Sequence, residues 1–461
     1  MKHGYIIFLF LTAALQPAWG QSIPAPLAEM LDNTLDSRRA SMGIKSLSAA
    51  IVTANNGIWQ KASGISSLSP LDSAETTYNY LIGSVTKMMT AACVMRLQEQ
   101  GLLDVDDTIG QYIPAIPYID PQITIRQLLS HTSGLYDALS NPAHQAALLS
   151  DLDYRWDAEE FIREFIDSPN NAPGATWDYC NTNYFLLGMI IEQVTGSPYY
   201  EVMRSMFFDP LGLETIRIPA FESLEGPVAH VWLDITGDGI RDDAHFFYMS
   251  YMSLNSVAGA AGGYFSTAEH IGRFVRQYLR GDLHNTESMA EVKTFIFAPG
   301  SQGNNYGLGL MANQFSGYTA YGHGGDLAYS ASSWYFPELD ISITVLGNDA
   351  GYNSWTLLPV VNALLIQYNQ WRLTAAPEEP KVFSLSAYPN PATDILHFQL
   401  NEVFRGSGIT YAIRNMLGQE VSNGQIDSNH PVISVAQLAA GAYSVTLKQD
   451  DNTAAALFVK E

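Results

Sequence analysis

A break in the pattern at residues 372–381 constrains the fold more than any other feature of the chain. Two prolines and clustered charge occur there without apolar periodicity, which is typical of a linker. Residues 23–370 mix helical periodicity with short β-rich runs, whereas residues 382–461 alternate as short strands between turns. We therefore predict an α/β domain over 21–370, a linker over 371–381 and a small all-β sandwich over 382–461. Strands of the second domain are expected at 396–400, 410–414 and 442–447.

The first twenty residues have the pattern of a secretory signal peptide. Lys2 precedes an apolar run from Ile6 to Leu15, and Ala18-Trp19-Gly20 follows. The run is about half of the ~20 residues that a membrane-spanning helix needs. No later stretch is long and apolar enough to span a bilayer. We therefore expect residues 1–20 to be a signal peptide and the protein to be exported without a transmembrane anchor.

Composition excludes several classes of partner. The 46 acidic residues outnumber the 23 basic ones, and the net charge of -23 repels nucleic acid and anionic membrane surfaces. A mean hydropathy of -0.01 and 47% apolar residues indicate a globular chain. Cys93 and Cys180 allow at most one disulfide. We expect none, because Cys93 points away from the region that Cys180 borders.

The segment Leu81 to Gly101 predicts a buried helix that begins near Ser84. It contains good helix formers and ends at a glycine. Lys87 lies one turn after Ser84, where a desolvated amine of lowered pKa can activate the hydroxyl. Of the eight lysines in the chain, only Lys87 has a serine three residues before it. The structural alternative is that Lys87 extends to solvent. The apolar stripe of this helix consists of Met88, Ala91, Ala92 and Met95.

A second segment, Pro173 to Glu192, runs from a turn into an apolar helix and leaves Tyr179 and Asn181 in the preceding loop. A neighbouring Lys87 ammonium favours the phenolate of Tyr179, which can then share proton transfer. The Asn181 amide can donate and accept hydrogen bonds to a substrate amide.

A third segment, Tyr321 to Asp326, precedes two expected strands at 330–336 and 341–347. Its glycines at 322, 324 and 325 allow another backbone to approach closely. Such a strand edge can hold a substrate by β-augmentation, with His323 reaching a carboxylate or carbonyl.

Together these segments resemble the serine β-lactamase family, which includes class C enzymes, D-Ala-D-Ala carboxypeptidases and related esterases. The three motifs occur in family order as Ser84-Val-Thr-Lys87, Tyr179-Cys-Asn181 and His323-Gly-Gly325. Further matches are 128–135, 261–268 and 306–310. The resemblance implies a β-lactamase-like fold: a mainly antiparallel sheet flanked by helices, plus a helical subdomain.

The resemblance also implies roles for individual residues. Ser84 is acylated, Lys87 and Tyr179 move protons, and the N–H groups of Ser84 and Asp326 form the oxyanion hole. Substrate binding is expected from Asn181, His323, Gly325 and Asp326, without a cofactor. Cys180 stands where serine is commoner, and His323 replaces the lysine of class C β-lactamases. Because histidine is less reliably charged at neutral pH, this favours a peptidase or esterase over a β-lactamase.

The end of the chain resembles a different family. Ala387 to Asp394, Met416 to Val421 and Leu438 to Ser444 are similar to the C-terminal sorting domain of type IX secretion substrates. The alternative is an immunoglobulin-like binding module. The resemblance implies export through the periplasm of a Gram-negative bacterium to the outside or the cell surface, with the type IX machinery as partner.

Other candidate residues have ordinary interpretations. Asp234, Thr236, Asp238 and Asp242 are spaced around Gly239 as in a calcium loop, but the pattern is incomplete and a solvated acidic turn is favoured. No histidine pair or His/Cys cluster has zinc-ligand spacing. We expect His131 to be a structural hydrogen-bonding residue.

The sequence thus predicts a secreted serine hydrolase that acts through an acyl-serine on a peptide, amide or ester. The alternatives are a catalytically silent binder of cell-wall peptides and a true β-lactamase.

Overall fold

A computed structural model describes residues 21–55, 57–68, 71–245, 252–374, 382–400, 404–406, 408–416, 418–449 and 452–461. The chain forms two compact units, one ending at Asn369 and the other running from Gln370 to Glu461. The signal peptide predicted at 1–20 and residues 375–381 of the predicted linker lie outside the described residues. Residues 371–374 of that linker are helical instead, because the helix Ser354–Thr374 continues with neither proline nor glycine between Trp371 and Pro377.

The helices, in chain order, are α1 (Ala25–Met42), α2 (Thr86–Glu99), α3 (Ile125–Leu129), α4 (Pro142–Ser150), α5 (Ala158–Phe165), α6 (Thr182–Thr195), α7 (Tyr199–Met203), α8 (Met252–Gly262), α9 (Ala268–Arg280), α10 (Thr286–Val292) and α11 (Ser354–Thr374). Short 3-10 turns lie at Gly83–Val85, Ile109–Gln111 and Ala138–Ser140, and a π-helical turn lies at Arg204–Phe208.

The strands of the first unit are β1 (Gln21–Ser22), β2 (Ser46–Val52), β3 (Gly57–Leu68), β4 (Leu71–Ser73), β5 (Tyr80–Leu81), β6 (Trp232–Leu233), β7 (Asp242–Asp243), β8 (Phe265–Ser266), β9 (Ile296–Phe297), β10 (Asn305–Tyr306), β11 (Met311–Phe315), β12 (Tyr318–Leu327), β13 (Tyr329–Phe336) and β14 (Ile341–Gly347). Those of the second unit are β15 (Val382–Ser384), β16 (Ser386–Tyr388), β17 (Ile395–Gln399), β18 (Ile409–Asn415), β19 (Glu420–Ile426), β20 (Val432–Ser434), β21 (Gly441–Gln449) and β22 (Asn452–Lys460).

One large sheet organises the first unit. Its strand order is β1-β3-β2-β14-β13-β12-β11-β10-β9, with β4 paired to β3, and its pairs are antiparallel except for β1 with β3. Every residue of β2, β13 and β14 is buried, so both faces of the sheet centre are covered. Helix α9 packs on these three strands and α1 packs on β2 and β3. The predicted α/β architecture is therefore confirmed, as are the strands expected at 330–336 and 341–347.

A second group of helices forms the helical subdomain. Helices α2, α3, α5, α6, α7 and α8 pack mainly on one another. Helix α2 lies within this group, because its sequence is apolar or small almost all round and eleven of its residues are buried.

Strand β12 meets α2 where its pairing changes. It pairs with β13 from Tyr321 to Leu327 but with β11 only from Tyr318 to Gly322. In the described part of the chain, the β11 ladder thus stops before His323. The following residues of β12 lie against the turn that precedes α2.

The second unit is an all-β sandwich, as predicted. A five-stranded sheet has the order β15-β22-β21-β18-β19, and a three-stranded sheet has the order β16-β17-β20. Both sheets contribute to one core, which includes Leu396, Phe398, Ile413, Val445 and Leu447. Among the described residues of the whole chain, no helix combines the length and apolar character that crossing a membrane requires.

The close approach of β12 to the turn before α2 requires glycine at position 325. A Cβ on Gly325 would lie 2.0 Å from the carbonyl oxygen of Ile82 and 2.9 Å from the nitrogen of Ser84, both of them backbone atoms. We expect Gly325→Ala to lower the free energy of unfolding of the first unit by about 1–3 kcal/mol, measured by chemical denaturation. Gly262→Ala is the matched control, because its Cβ would approach backbone of Gly83 no closer than 3.4 Å. Equal destabilisation by both variants would contradict the close approach.

Candidate active site

Ser84 lies in the 3-10 turn directly before α2 and is half-buried at the wall of a cavity. Gly83 has φ 52°, a left-handed conformation that glycine adopts without strain, and a Cβ there would lie 2.7 Å from the nitrogen of Asp326. The turn therefore holds the Ser84 hydroxyl at the start of a packed helix and next to β12. The predicted stripe on α2 is fully buried: Met88, Ala91, Ala92 and Met95.

Lys87 is fully buried one turn after Ser84, so the alternative in which it extends to solvent is wrong. Its Nζ lies within hydrogen-bond distance of three oxygens: Ser84 Oγ at 3.1 Å, Asn181 Oδ1 at 2.8 Å and the Ala261 carbonyl at 2.9 Å. An ammonium has three N–H donors, so the charged form is fully satisfied.

The neutral form of Lys87 is oriented by the same three partners. An amine has two N–H donors and one lone pair. The Asn181 Oδ1 and Ala261 carbonyl oxygens can only accept, so they take the two N–H groups. The lone pair then faces Ser84, whose hydroxyl is the one partner of the three that can donate a proton. The geometry can therefore transfer the Ser84 proton to Lys87.

Burial also favours the neutral amine. Desolvation lowers the pKa of Lys87 to about 7, and the charges of Asp137 and then Cys180 oppose this shift. A base with a pKa near neutrality is poised to gain and lose a proton at ordinary pH.

Tyr179 lies in the coil before α6 and lines the same cavity as Ser84. Its phenol is hydrogen-bonded to Ser84, and Lys87 Nζ lies 4.9 Å from the ring centroid. The predicted lowering of the Tyr179 pKa is wrong. Burial raises this pKa, and the hydrogen bond to Ser84 opposes the shift only in part. Tyr179 is therefore a neutral phenol that can donate a hydrogen bond, because desolvation outweighs the bond to Ser84 and the negative charges of Asp137 and Asp326 add to the effect.

Asn181 caps α6 and connects Lys87 to a carboxylate that the sequence analysis missed. Its Oδ1 accepts from Lys87, and its Nδ2 donates to Asp137 Oδ2 at 2.8 Å. Asp137 stands two residues beyond the 128–135 match, but nothing in its local pattern indicates a partner 44 residues away. Both ends of the Asn181 amide are thus engaged once, which leaves its second N–H and its second oxygen lone pair for a substrate amide.

His323 lies on β12 and lines the cavity, and both of its ring nitrogens have partners. Its Nε2 lies 2.9 Å from the Tyr306 hydroxyl and its Nδ1 contacts the Gly324 carbonyl. Burial, followed by the Lys87 charge, lowers the pKa of His323 to about 3. The imidazole is therefore neutral, in agreement with the expectation that histidine is less reliably charged here than the lysine of class C β-lactamases. Its contact with a substrate carbonyl or carboxylate stays a prediction.

The proton positions around His323 follow from its neighbours. The backbone N–H of Cys180 donates to His131 Nδ1 at 3.1 Å, so neutral His131 carries its proton on Nε2 and donates to Tyr306. The Tyr306 hydroxyl then donates to His323 Nε2, and His323 Nδ1–H donates to Gly324. His131 is fully buried with its pKa well below the usual value, mainly because of desolvation, so its predicted structural role is confirmed.

Asp326 follows Gly325 on β12, and its carboxylate contacts the start of α11. It accepts from the Ser354 backbone N–H and from the Ser354 hydroxyl, at 2.5 and 2.7 Å. Burial raises the pKa of Asp326, while both Ser354 bonds oppose the shift. Cys93 and Cys180 are both buried and free, as expected.

These residues surround a cavity of about 310 Å³. Its polar lining includes Ser84, Tyr179, Asn181, Ser301 and Gln302. Among its described lining residues there is neither a lysine nor an arginine. Its apolar walls are Leu139, Trp177, Met311, Leu327 and Trp355.

The acidic segment near residue 240 lies elsewhere, in the hairpin between β6 and β7. The Asp234 carboxylate accepts backbone N–H bonds from Gly237, Asp238 and Gly239, and Asp242 accepts one from Ile235. The predicted exposed turn is therefore observed. Within the described ranges, no group of three or more His, Cys, Asp or Glu side chains is arranged to hold a metal ion.

Comparison with known proteins gives the same architecture. A β-lactamase family model matches residues 31–360, and a model of the secretion system C-terminal sorting domain matches residues 386–461.

Individual relatives differ in their described activities. The putative penicillin-binding protein PbpX of Bacillus subtilis is 25% identical over 50% of this chain and 53% of its own length. The esterase EstB of Burkholderia gladioli is 27% identical over 44% of this chain and 54% of its own length. The chain thus spans about half the length of these curated relatives. A solved D-stereospecific amidohydrolase from Streptomyces sp. is 28% identical, with a TM-score of 0.62 over 70% of this chain and 94% of that one. Fold, motif order and family match together establish that the chain belongs to the β-lactamase family of serine hydrolases and carries a secretion-system C-terminal sorting domain.

Proposed function

We propose that the first unit hydrolyses an uncharged amide or ester through an acyl intermediate on Ser84. The observation that carries this proposal is the environment of Lys87, whose neutral amine has its lone pair directed at the Ser84 hydroxyl.

In the proposed reaction, Ser84 Oγ attacks the substrate carbonyl while its proton passes to Lys87. The N–H groups of Ser84 and Asp326 stabilise the oxyanion, a role supported by the contact between the Ser84 turn and β12. Lys87 returns the proton to the leaving group through the Tyr179 phenol, which can donate because it is neutral. Water then attacks the acyl-serine and restores the free hydroxyl.

The charge of the cavity favours uncharged substrates. Lys87 is not among the lining residues and has its donors engaged, and neutral His323 has both nitrogens engaged. Asp326 adds a carboxylate to the lining. A substrate carboxylate therefore meets no free cation among the described lining residues and would be desolvated without a partner. This supports an amidase or esterase over a carboxypeptidase or β-lactamase, in line with the similarity to an amidohydrolase and an esterase.

For the second unit, we propose that the sorting domain directs export by the type IX machinery, with final release or attachment outside the cell. The match of residues 386–461 to a sorting-domain model supports this role.

The reaction predicts a specific pH dependence. Because acylation needs neutral Lys87, kcat/KM for a nitrophenyl ester should rise with pH through about 7 and then level off.

Ser84→Ala and Lys87→Met should each lower kcat/KM by about 10³-fold or more. Lys61→Met serves as control, since Lys61 is a surface residue near Asp32 and Asp36. A fluorophosphonate adduct on Ser84, detected by mass spectrometry, identifies the nucleophile. Wild-type rates in Ser84→Ala would point to a different nucleophile, whereas the absence of both an adduct and turnover would favour a silent binder.

Because no lysine or arginine is among the described lining residues, the cavity is predicted to discriminate against carboxylate substrates. We expect an N-acyl-D-alanine amide to be hydrolysed with kcat/KM at least about 10-fold above N-acyl-D-alanyl-D-alanine, because a buried unpaired charge costs more than the roughly 1.4 kcal/mol that this ratio represents. The two leaving groups are compared at constant pH by liquid chromatography. Equal or faster cleavage of the carboxylate substrate, or rapid turnover of a penicillin, would contradict the preference.

A further inference from the structure

We infer that Asp137 is a positioning residue that fixes the Asn181 amide with its oxygen toward Lys87 and thereby keeps the lysine lone pair directed at Ser84. This inference rests on the proposed function. It deepens that function by adding a residue that does not line the cavity.

The shape of the Asn181 amide does not by itself fix which end faces Lys87. The two ends of an asparagine side chain have nearly the same shape, so its orientation is set by its hydrogen-bond partners. A Lys87 amine can donate to the amide oxygen or accept from the amide nitrogen, and so does not select one orientation. The Asp137 carboxylate can only accept, and its Oδ2 lies 2.8 Å from Asn181 Nδ2. Asp137 is thus the partner that assigns the oxygen to Lys87.

Asp137 is itself held in place. Its Oδ1 accepts the backbone N–H of Leu139 at 3.1 Å, at the start of the 3-10 turn Ala138–Ser140. The same loop is tied to α6, because Ala138 N–H donates to Thr182 Oγ1 and that hydroxyl donates to the Tyr136 carbonyl. The carboxylate and the amide are therefore anchored to the same helix start.

The reversed amide would disable the base. With its NH₂ toward Lys87, Asn181 would become a second donor to the lysine lone pair and would compete with the Ser84 hydroxyl. The Ser84 hydroxyl would then no longer be the only partner that can donate to the lysine lone pair.

Asp137 also affects the charge state of Lys87. Its negative charge raises the pKa of Lys87 against the larger effect of burial. Removing that charge should favour the neutral amine at lower pH, whereas a merely structural defect would lower activity without moving the profile. Other titratable groups near Lys87 are His131 and His323, which burial keeps neutral, the buried Cys180 and Tyr179, and Asp326, whose charge acts on Tyr179. Tyr184, whose ring centroid lies 5.2 Å from Lys87 Nζ, is also neutral because burial raises its pKa.

The test compares full pH profiles of kcat/KM on a small uncharged nitrophenyl ester. We expect Asp137→Asn to move the acidic limb at least about 0.5 pH units lower, by the loss of negative charge. The same variant should lower the plateau about 10-fold, because the introduced amide can pair with either orientation of Asn181. Asp137→Ala should move the acidic limb in the same direction, so the shift can still be measured if Asp137→Asn folds poorly.

Asp178→Asn is the matched control. The Asp178 carboxylate also accepts from asparagine amides, those of Asn170 and Asn171, but neither of these is among the three hydrogen-bond partners of Lys87 described above. This variant should keep the wild-type limb and plateau.

The outcomes separate this inference from the proposed function. If wild type is labelled on Ser84 and has a limb near neutral pH, but both Asp137 variants keep that limb, the inference is overturned and the proposed function stands. A limb shift without a loss of plateau would overturn the positioning role, as would identical changes in Asp178→Asn. A wild-type profile without a neutral limb would overturn both.

Discussion

The chemistry of this protein depends on a single buried amine surrounded by three oxygens, of which only one carries a proton it can give away. Lys87 has no access to solvent, so its hydrogen bonds are fixed by the Ala261 carbonyl, the Asn181 amide and the Ser84 hydroxyl. Burial lowers its pKa and the two obligate acceptors direct its lone pair. Desolvation and geometry thus act on the same atom, and neither alone would make it a useful base.

The surrounding fold holds Lys87 and its three partners in this arrangement. Gly83 and Gly325 let the turn before α2 lie against β12, and the Asp326 carboxylate ties the same strand to the start of α11. A series of hydrogen bonds runs from His131 through Tyr306 to His323, and it satisfies buried polar groups with neutral partners. Because such a network is costly when incompletely paired, its full pairing stiffens the wall of the cavity without adding charge.

Much of this could be predicted from the sequence, because the informative residues lie close together along the chain. The Ser84 to Lys87 spacing, the loop position of Tyr179 and Asn181, and the strands after residue 329 all follow from local periodicity. The prediction for Tyr179 was wrong because it counted the attraction of Lys87 and not the cost of burying a phenolate. The bond between His323 and Tyr306 could not be foreseen from the sequence, and Asp137 was missed because its contact with Asn181 spans 44 residues. Long-range burial and pairing are the information that local patterns lack.

The central claim is most directly tested by titrating Lys87 itself. In protein labelled with ¹³C at lysine Cε, the Lys87 signal can be assigned among the eight lysines by its loss in Lys87→Met and followed by NMR as the pH is raised. The account predicts a midpoint near 7, well apart from that of exposed lysines. A Lys87 midpoint near the ordinary value of about 10.4 would show that the amine is charged at neutral pH and cannot act as the proposed base.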